Sequence, residues 1–173
     1  DSLLTYAKKN DTPLTLVKEK YEDEIVLEGE HQKLNAAVAI KVAEAISDEF
    51  PVSKDMIKSG IKQAQIVARF EKITVGNKTV ILDVAHNPSA VKTLIKTLSE
   101  LPMETVAIFS ALADKNIDDM ISLAAVHIKH WFLVPLSAER SIQIEVLEDK
   151  FGDSQETTVC SNMASAIEQA LAL

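Results

Sequence analysis

Residues 80–94 read VILDVAHNPSAVKTL, an apolar strand that runs into an amphipathic helix through the polar segment 83–87. Asn87 followed by Pro88 is typical of a helix start, because asparagine caps free N–H groups of the first turn and proline fits the first helical position. Capping explains these two residues without a ligand. It gives no reason for the histidine at position 86, so the junction is a candidate site.

The residues around this junction alternate between strand-like and helix-like patterns. Strands are predicted over 70–75, 79–82, 105–109, 131–134 and 157–159, and helices over 88–98, 117–128, 142–151 and 163–171. The first two strands flank a tight-turn pair, Gly76 and Asn77. Strands that alternate with helices of this length indicate a mostly parallel sheet covered on both faces. We therefore predict a Rossmann-like α/β domain from residue 69 to the end.

Residues 1–68 do not continue the strand–helix alternation that is seen from residue 69 onward. Short strands are predicted over 14–17 and 25–27, followed by helices over 29–46 and 55–63. Residues 36–39 are apolar on all sides, which predicts burial of that part of the helix. The segment is too small for a complete domain and begins in mid-pattern without a methionine. We expect it to be the end of a preceding domain over residues 1–68, followed by the α/β domain over 69–173.

Composition excludes several classes of function. The 173 residues are 47% hydrophobic and carry a net charge of −8. That charge offers no basic stripe, so neither nucleic acid nor an anionic membrane is expected as a partner. No apolar run has the length of a membrane span. Cys160 is the single cysteine, which excludes an internal disulfide and fits a reducing compartment. The expectation is a cytoplasmic monomer.

The polar segment also suits a ligand. Ligands of open parallel sheets bind beyond the carboxyl ends of the strands, and Asp83 is predicted to lie at such an end. A carboxylate there accepts two hydrogen bonds from a ribose diol. His86 would lie at a helix N-terminus, where backbone N–H groups favour anions. The alternative is a turn aspartate beside an ordinary helix cap worth roughly 1 kcal/mol.

The residues DVAHNP at 83–88 resemble the D-x-A-H-N-P motif of the C-terminal domain of dihydrofolate synthase/folylpolyglutamate synthase enzymes, relatives of the peptidoglycan Mur ligases. Three further regions are similar in order and spacing. GEHQKLNAAVAI at 29–40 is similar to the family's G-x-x-Q-x-x-N-A-A-x-A helix, and ARFEKI at 68–73 to its G-R-[FM]-E stretch. ALADKNIDDMI at 111–121 and WFLVPLSAER at 131–140 resemble its L-x-D-K-D loop and the aromatic-x-x-x-P-L segment.

This resemblance implies ATP contacts for Asn35, Arg69 and Asp83. Asn35 would hydrogen-bond the nucleotide, Arg69 would bring a guanidinium to the phosphates, and Asp83 would hold the ribose. His86 would bind substrate near the transferred phosphate or the incoming glutamate. The alternatives without a ligand are a helix N-cap for Asn35 and, for Arg69, a surface ion pair with Glu71 or a neighbouring acid.

Two positions depart from the family pattern, and one element is missing. Ala68 stands where the family usually has glycine, so a methyl group either shifts the hinge between domains or is tolerated. Asn116 replaces the usual second acid after Asp114 and Lys115. None of the four glycines is followed by Lys-Ser or Lys-Thr, so the phosphate loop G-x-x-x-x-G-K-[ST] is missing. The resemblance implies that this loop, the Mg²⁺ ligands and the pterin site precede residue 1.

The function implied by the resemblance is that of an ATP-dependent amide ligase that adds L-glutamate to dihydropteroate and/or tetrahydrofolate through an acyl phosphate. ATP and Mg²⁺ would be the cofactors, with folate and L-glutamate as the other small-molecule partners. This chain would be an inactive C-terminal fragment, without catalytic or metal-binding residues of its own. The alternatives are the C-terminal domain of a peptidoglycan Mur ligase and a non-catalytic nucleotide-binding module.

Four other features of the sequence have simpler explanations than a binding site. His127 and His130 lie three apart on a predicted helix, but no third metal ligand is apparent, so an exposed helix surface is favoured. The acidic run 114–119 is predicted to cap the helix that begins at residue 117. Cys160 is predicted to be a small core residue rather than a nucleophile, and Trp131 a core or domain-interface residue rather than a stacking platform.

Overall fold

The computed structural model describes residues 2–173, which form two compact units, a first unit that ends at Val67 and a second unit, Ala68–Leu173. The described part of the first unit contains α1 (Ser2–Lys9), α2 (Glu30–Ala45) and α3 (Lys54–Gln63). Ser53 caps α3, since its hydroxyl accepts a hydrogen bond from the Met56 N–H at 3.2 Å. None of the helices within residues 2–173 is long and apolar enough to cross a bilayer.

The strands predicted over 14–17 and 25–27 are wrong. Both stretches are irregular, and Leu14 and Leu16 are exposed. A strand needs a partner for its backbone N–H and C=O groups, and the described residues supply none at either stretch. The expected burial over 36–39 also fails, because Ala36 is buried whereas Val38 is 43% exposed.

The second unit is an α/β domain, as predicted. Its elements are β1 (Glu71–Val75), β2 (Lys78–Leu82), α4 (Pro88–Leu98), β3 (Thr105–Phe109), α5 (Ile117–Ala124), β4 (Ile128–Leu133), α6 (Ile144–Asp149), β5 (Thr157–Val159) and α7 (Met163–Ala172). Strands β3, β4 and β5 form a parallel sheet in that order. β1 and β2 form a separate antiparallel hairpin that turns at Gly76, where φ is +61°.

The parallel sheet is covered on both faces. Trp131 and Leu133 of β4 belong to a core cluster with side chains of α4, α5 and α6. Phe132 belongs to a second cluster with Val134, Cys160 and side chains of α7. Trp131 and Cys160 are 3% and 2% exposed, which confirms both as core residues. Strand residues buried on both faces read as a continuous apolar run, as Trp131, Phe132 and Leu133 of β4 do.

Three predicted elements around β4 have wrong boundaries. The helix predicted over 117–128 ends at Ala124, and the strand begins at Ile128 rather than at residue 131. Ile128 is buried and pairs with Thr105 of β3, so tertiary pairing overrides the local helical pattern. The helix predicted over 142–151 is shorter, Ile144–Asp149.

The predicted placement of two histidines on one helix is also wrong. His127 lies in the turn after α5, and its N–H donates to the Ala124 carbonyl at 2.9 Å. His130 lies on β4, where its Nε2 is 2.8 Å from the Thr158 Oγ1 and its Nδ1 is 3.4 Å from a Glu156 oxygen. Both ring nitrogens therefore contact side chains at or next to β5.

Candidate functional site

The junction between β2 and α4 is fixed by local capping. The Asn87 Oδ1 accepts a hydrogen bond from the Ala90 N–H at 2.9 Å, and Pro88 occupies the first helical position. The backbone of Asn87 is extended, as an N-cap and a residue before proline require. The capping prediction is confirmed, and the cap fixes where α4 begins.

Asp83 follows β2, so one premise of the sequence argument needs correction. Because β2 pairs antiparallel with β1, Asp83 does not lie at the carboxyl edge of the parallel sheet. Its Oδ2 accepts a hydrogen bond from the Phe70 N–H at 2.9 Å, and its Oδ1 accepts one from the Ala85 N–H at 2.8 Å. A carboxylate has about four lone-pair positions, so this exposed group keeps acceptor capacity for a ligand.

Arg69 is exposed and lies between two residues with left-handed backbone. Ala68 has φ +55° and Phe70 has φ +50°, values that residues with a Cβ rarely adopt. The carbonyl of Ala68 accepts from the Val84 N–H at 3.1 Å, and Phe70 is 5% exposed in the core. The structure thus brings the backbone around Arg69 against the start of the 83–88 motif.

The Glu71 carboxylate binds a backbone N–H group in this segment. Its Oε2 accepts a hydrogen bond from the Ala68 N–H at 2.9 Å. The sequence had suggested a surface ion pair between Glu71 and Arg69, whereas the carboxylate is directed to the residue before the arginine. Beyond that ion pair, sequence reasoning assigned Glu71 no role in the site, although it belongs to the quoted ARFEKI stretch.

His86 is exposed near the N-terminus of α4. Its Nδ1 lies 2.9 Å from the Val84 carbonyl oxygen. A carbonyl only accepts, so Nδ1 carries the proton in this hydrogen bond and Nε2 of the neutral ring is left as an acceptor.

Asn35 lies in the first unit, apart in the chain from the other three candidates. The N-cap alternative for Asn35 is wrong, because α2 begins at Glu30 after Gly29, and Asn35 lies in its second turn. Its Nδ2 donates to the Gln32 Oε1 at 3.0 Å, and Gln32 is only 6% exposed. Gln32 is a second residue to which sequence reasoning assigned no role, although it belongs to the G-x-x-Q-x-x-N pattern.

The loops after β3 and β4 meet at Asp114. The Lys115 ammonium donates to its carboxylate at 2.9 Å, and an Arg140 nitrogen lies 3.6 Å away. The hydrogen bond from Lys115 is the main cause that lowers the pKa of Asp114 below its ordinary value. Asn116 caps α5 by accepting from the Asp119 N–H at 3.4 Å, which confirms that the 114–119 run opens this helix.

Known proteins resemble this chain along most of its length. The model of the Mur ligase glutamate ligase domain family matches residues 68–173. A dihydrofolate synthase/folylpolyglutamate synthase of Buchnera aphidicola is 31% identical over 114 residues, 65% of this chain and 27% of that protein.

Two solved structures extend the similarity. Folylpolyglutamate synthase of Mycobacterium tuberculosis, complexed with ADP, is 25% identical with a TM-score of 0.76, over 88% of this chain and 35% of that one. The bifunctional folylpolyglutamate synthase/dihydrofolate synthase of Yersinia pestis, complexed with AMPPNP and a Mn ion, is 27% identical with a TM-score of 0.67, over 80% of this chain and 33% of that one. The chain spans about a third of these relatives or less. Because the family match covers all of the second unit and more than half of the chain, the chain belongs to the Mur ligase family, with its glutamate ligase domain at residues 68–173.

Proposed function

We propose that this chain is the C-terminal part of an ATP-dependent amide ligase that adds L-glutamate to dihydropteroate and/or tetrahydrofolate. Residues 1–68 would be the end of its ATPase domain and 69–173 its C-terminal domain, in a monomeric cytoplasmic enzyme. The observation that carries the proposal is the cluster formed by Arg69, Asp83 and the capped 83–88 motif, within a domain that matches the glutamate ligase family.

The proposed nucleotide contacts follow from the hydrogen-bond donors and acceptors that each side chain still has available. Asp83 has free lone pairs for the two hydroxyls of a ribose. Arg69 presents an exposed guanidinium, a planar donor suited to phosphate oxygens. Asn35 is exposed and keeps its Oδ1 and one N–H beyond the bond to Gln32, so it would contact the base.

The metal ion belongs to another part of the proposed enzyme. The relatives above were crystallised with ADP, or with AMPPNP and Mn, and we propose ATP with Mg²⁺ here. Within residues 2–173, no group of three or more His, Cys, Asp or Glu side chains is placed to hold a metal ion. Magnesium, when bound, neutralises charge on the β- and γ-phosphates.

The reaction would proceed in two steps. A substrate carboxylate attacks the γ-phosphate, forming an acyl phosphate and releasing ADP. The amine of L-glutamate then attacks the acyl carbon, forming the amide and releasing phosphate and a proton. Arg69 would stabilise the charge that develops on the transferred phosphoryl group. His86 would lie near the transferred phosphate or the incoming glutamate, where its Nε2, an acceptor in the neutral ring, can accept a hydrogen bond from the glutamate amine.

The test is phosphate release by the full-length gene product with MgATP, L-glutamate and either dihydropteroate or tetrahydrofolate. Glutamate-dependent release that is lost in both Asp83→Ala and Arg69→Ala supports the proposal. Lys92→Ala, on the exposed face of α4, is the control and should retain activity. Absence of turnover with both folate substrates would contradict it and would favour a peptidoglycan-type substrate or a non-catalytic module.

A further inference from the structure

The backbone around Arg69 is held in an unfavourable conformation by side chains that the nucleotide roles do not explain. Ala68 and Phe70 both have positive φ, and Arg69 lies between them. Residues with a Cβ adopt this region only where neighbouring contacts impose it. The contacts that do so here identify the supporting residues.

Two carboxylates bind the N–H groups on either side of Arg69. Glu71 accepts from the Ala68 N–H and Asp83 from the Phe70 N–H, each at 2.9 Å. A third hydrogen bond, from the Val84 N–H to the Ala68 carbonyl at 3.1 Å, ties the same segment to the start of the 83–88 motif. Every backbone group in these bonds belongs to Ala68, Phe70 or Val84, so the arginine side chain is left exposed and unrestrained by them.

The Glu71 carboxylate is not needed for strand pairing. The backbone of Glu71 pairs with Leu82 in the β1–β2 ladder, and that ladder continues through the pairs up to Val75 and Lys78. Phe70 is fixed independently by its burial in the core. The carboxylate therefore acts on the chain before β1, where the arginine is.

We propose that Glu71 is a positioning residue for Arg69, holding its backbone so that the side chain extends from a fixed point toward the phosphates of the nucleotide. This inference rests on the proposed function, in which Arg69 contacts the phosphates. A side chain of this length reaches a ligand with less loss of conformational freedom when its backbone is fixed in advance.

The first measurement concerns position alone and uses the 173-residue chain. The backbone order parameter of Arg69 is determined by ¹⁵N relaxation in the wild type, Glu71→Ala and Glu71→Gln. A rigid value of about 0.85 is expected in the wild type, with a fall toward about 0.6 in Glu71→Ala. Glutamine keeps an acceptor oxygen and should restore rigidity. Glu168→Ala, on the exposed face of α7, is the matched control. An unchanged order parameter in Glu71→Ala overturns the proposal.

The second measurement is a double-mutant cycle on kcat/KM for ATP in the full-length gene product. Glu71→Ala should lower kcat/KM about tenfold in the wild type but less than about twofold in an Arg69→Ala background, because the two residues act through one side chain. Equal losses in both backgrounds would mean that Glu71 acts without Arg69, and would overturn the positioning role. Absence of wild-type turnover would count against the proposed function instead, and the order parameters would still decide whether Glu71 fixes the arginine.

Discussion

Asn35 donates a hydrogen bond from its Nδ2 to the Oε1 of Gln32, one turn earlier on α2, at 3.0 Å. Gln32 is buried, whereas Asn35 is exposed. The bond fixes the orientation of the Asn35 amide and leaves its Oδ1 beside one free N–H. An acceptor beside a donor is the pattern that matches the N6 and N7 edge of adenine.

Replacement of Gln32 by leucine should therefore weaken nucleotide binding. The Asn35 amide would rotate freely, and we expect KM for ATP to rise about fivefold to tenfold, equivalent to about 1 kcal/mol, with kcat nearly unchanged. Initial rates of the full-length gene product over a range of ATP concentrations measure this. Gln63→Leu is the control, since among the described residues the Gln63 side chain bonds Ser59 on the surface of α3. A parallel fall in kcat and melting temperature would indicate a purely structural role.

Substitution of Ala68 by glycine should stabilise the second unit. The left-handed backbone at Ala68 costs a residue with a Cβ about 1–2 kcal/mol, and the greater chain entropy of glycine offsets part of the gain. We expect unfolding in urea to require roughly 0.5–1 kcal/mol more free energy. Lys92→Gly, in the middle of α4, should instead lose about 1 kcal/mol. A loss of stability in Ala68→Gly would contradict the strain seen at this residue.

The N-cap of α4 gives a third prediction. Asn87→Ala removes the acceptor for the Ala90 N–H and should cost about 1 kcal/mol of unfolding free energy, measured by urea denaturation. Asn87→Ser keeps an oxygen at the cap and should lose less than half of that amount. Equal losses in the two variants would show that the amide contributes beyond capping.

Core packing around the parallel sheet gives a fourth prediction. Leu147 of α6 is completely buried, so Leu147→Ala should leave a cavity and cost about 2–5 kcal/mol. Val126 is 80% exposed, and Val126→Ala should change stability by less than about 0.5 kcal/mol. Chemical denaturation of both variants measures the difference, and similar values would contradict the assignment of Leu147 to the core.

The pH dependence of Asp114 follows from its neighbours. The hydrogen bond from Lys115 lowers its pKa in the folded state, so its stabilising contribution is present above the pKa of the unfolded chain and is lost as pH falls through the folded value. Lys115→Ala should raise the pKa of Asp114 toward the ordinary value, measured by NMR titration of the carboxyl carbon. The pKa of Asp23, which is lowered chiefly by its hydrogen bond to Lys58, should not change. If the pKa of Asp114 does not rise in Lys115→Ala, groups other than Lys115 lower it.

Much of the fold could be predicted where local signals agree. The bounds of α4 match the prediction because Asn87 and Pro88 mark its start, and β3 matches because an apolar run is bounded by polar residues on both sides. Local signals failed over residues 14–17, where an alternating pattern meets no partner strand in the described chain, and at Ile128, where pairing with β3 begins the strand early.

The sequence selects candidate site residues, which stay a prediction, but it does not give their geometry. The motif located Asp83 and Arg69, but the hydrogen bond from Phe70 to Asp83 joins residues thirteen positions apart and depends on how the hairpin folds. The left-handed backbone at Ala68 has no signal in the alanine itself, and the glycine that the family usually has at this position is the one hint of positive φ.

Residues 131–134, at the end of β4 and just after it, are buried on both faces of the sheet, so the gene should accept few substitutions there. Trp131, Phe132, Leu133 and Val134 are each at most 3% exposed, two in one core cluster and two in the other. In a saturation mutagenesis, these four successive codons should all reject polar residues. In β2, by contrast, Ile81 packs against the core while Leu82 is 38% exposed, so tolerance should alternate from one codon to the next.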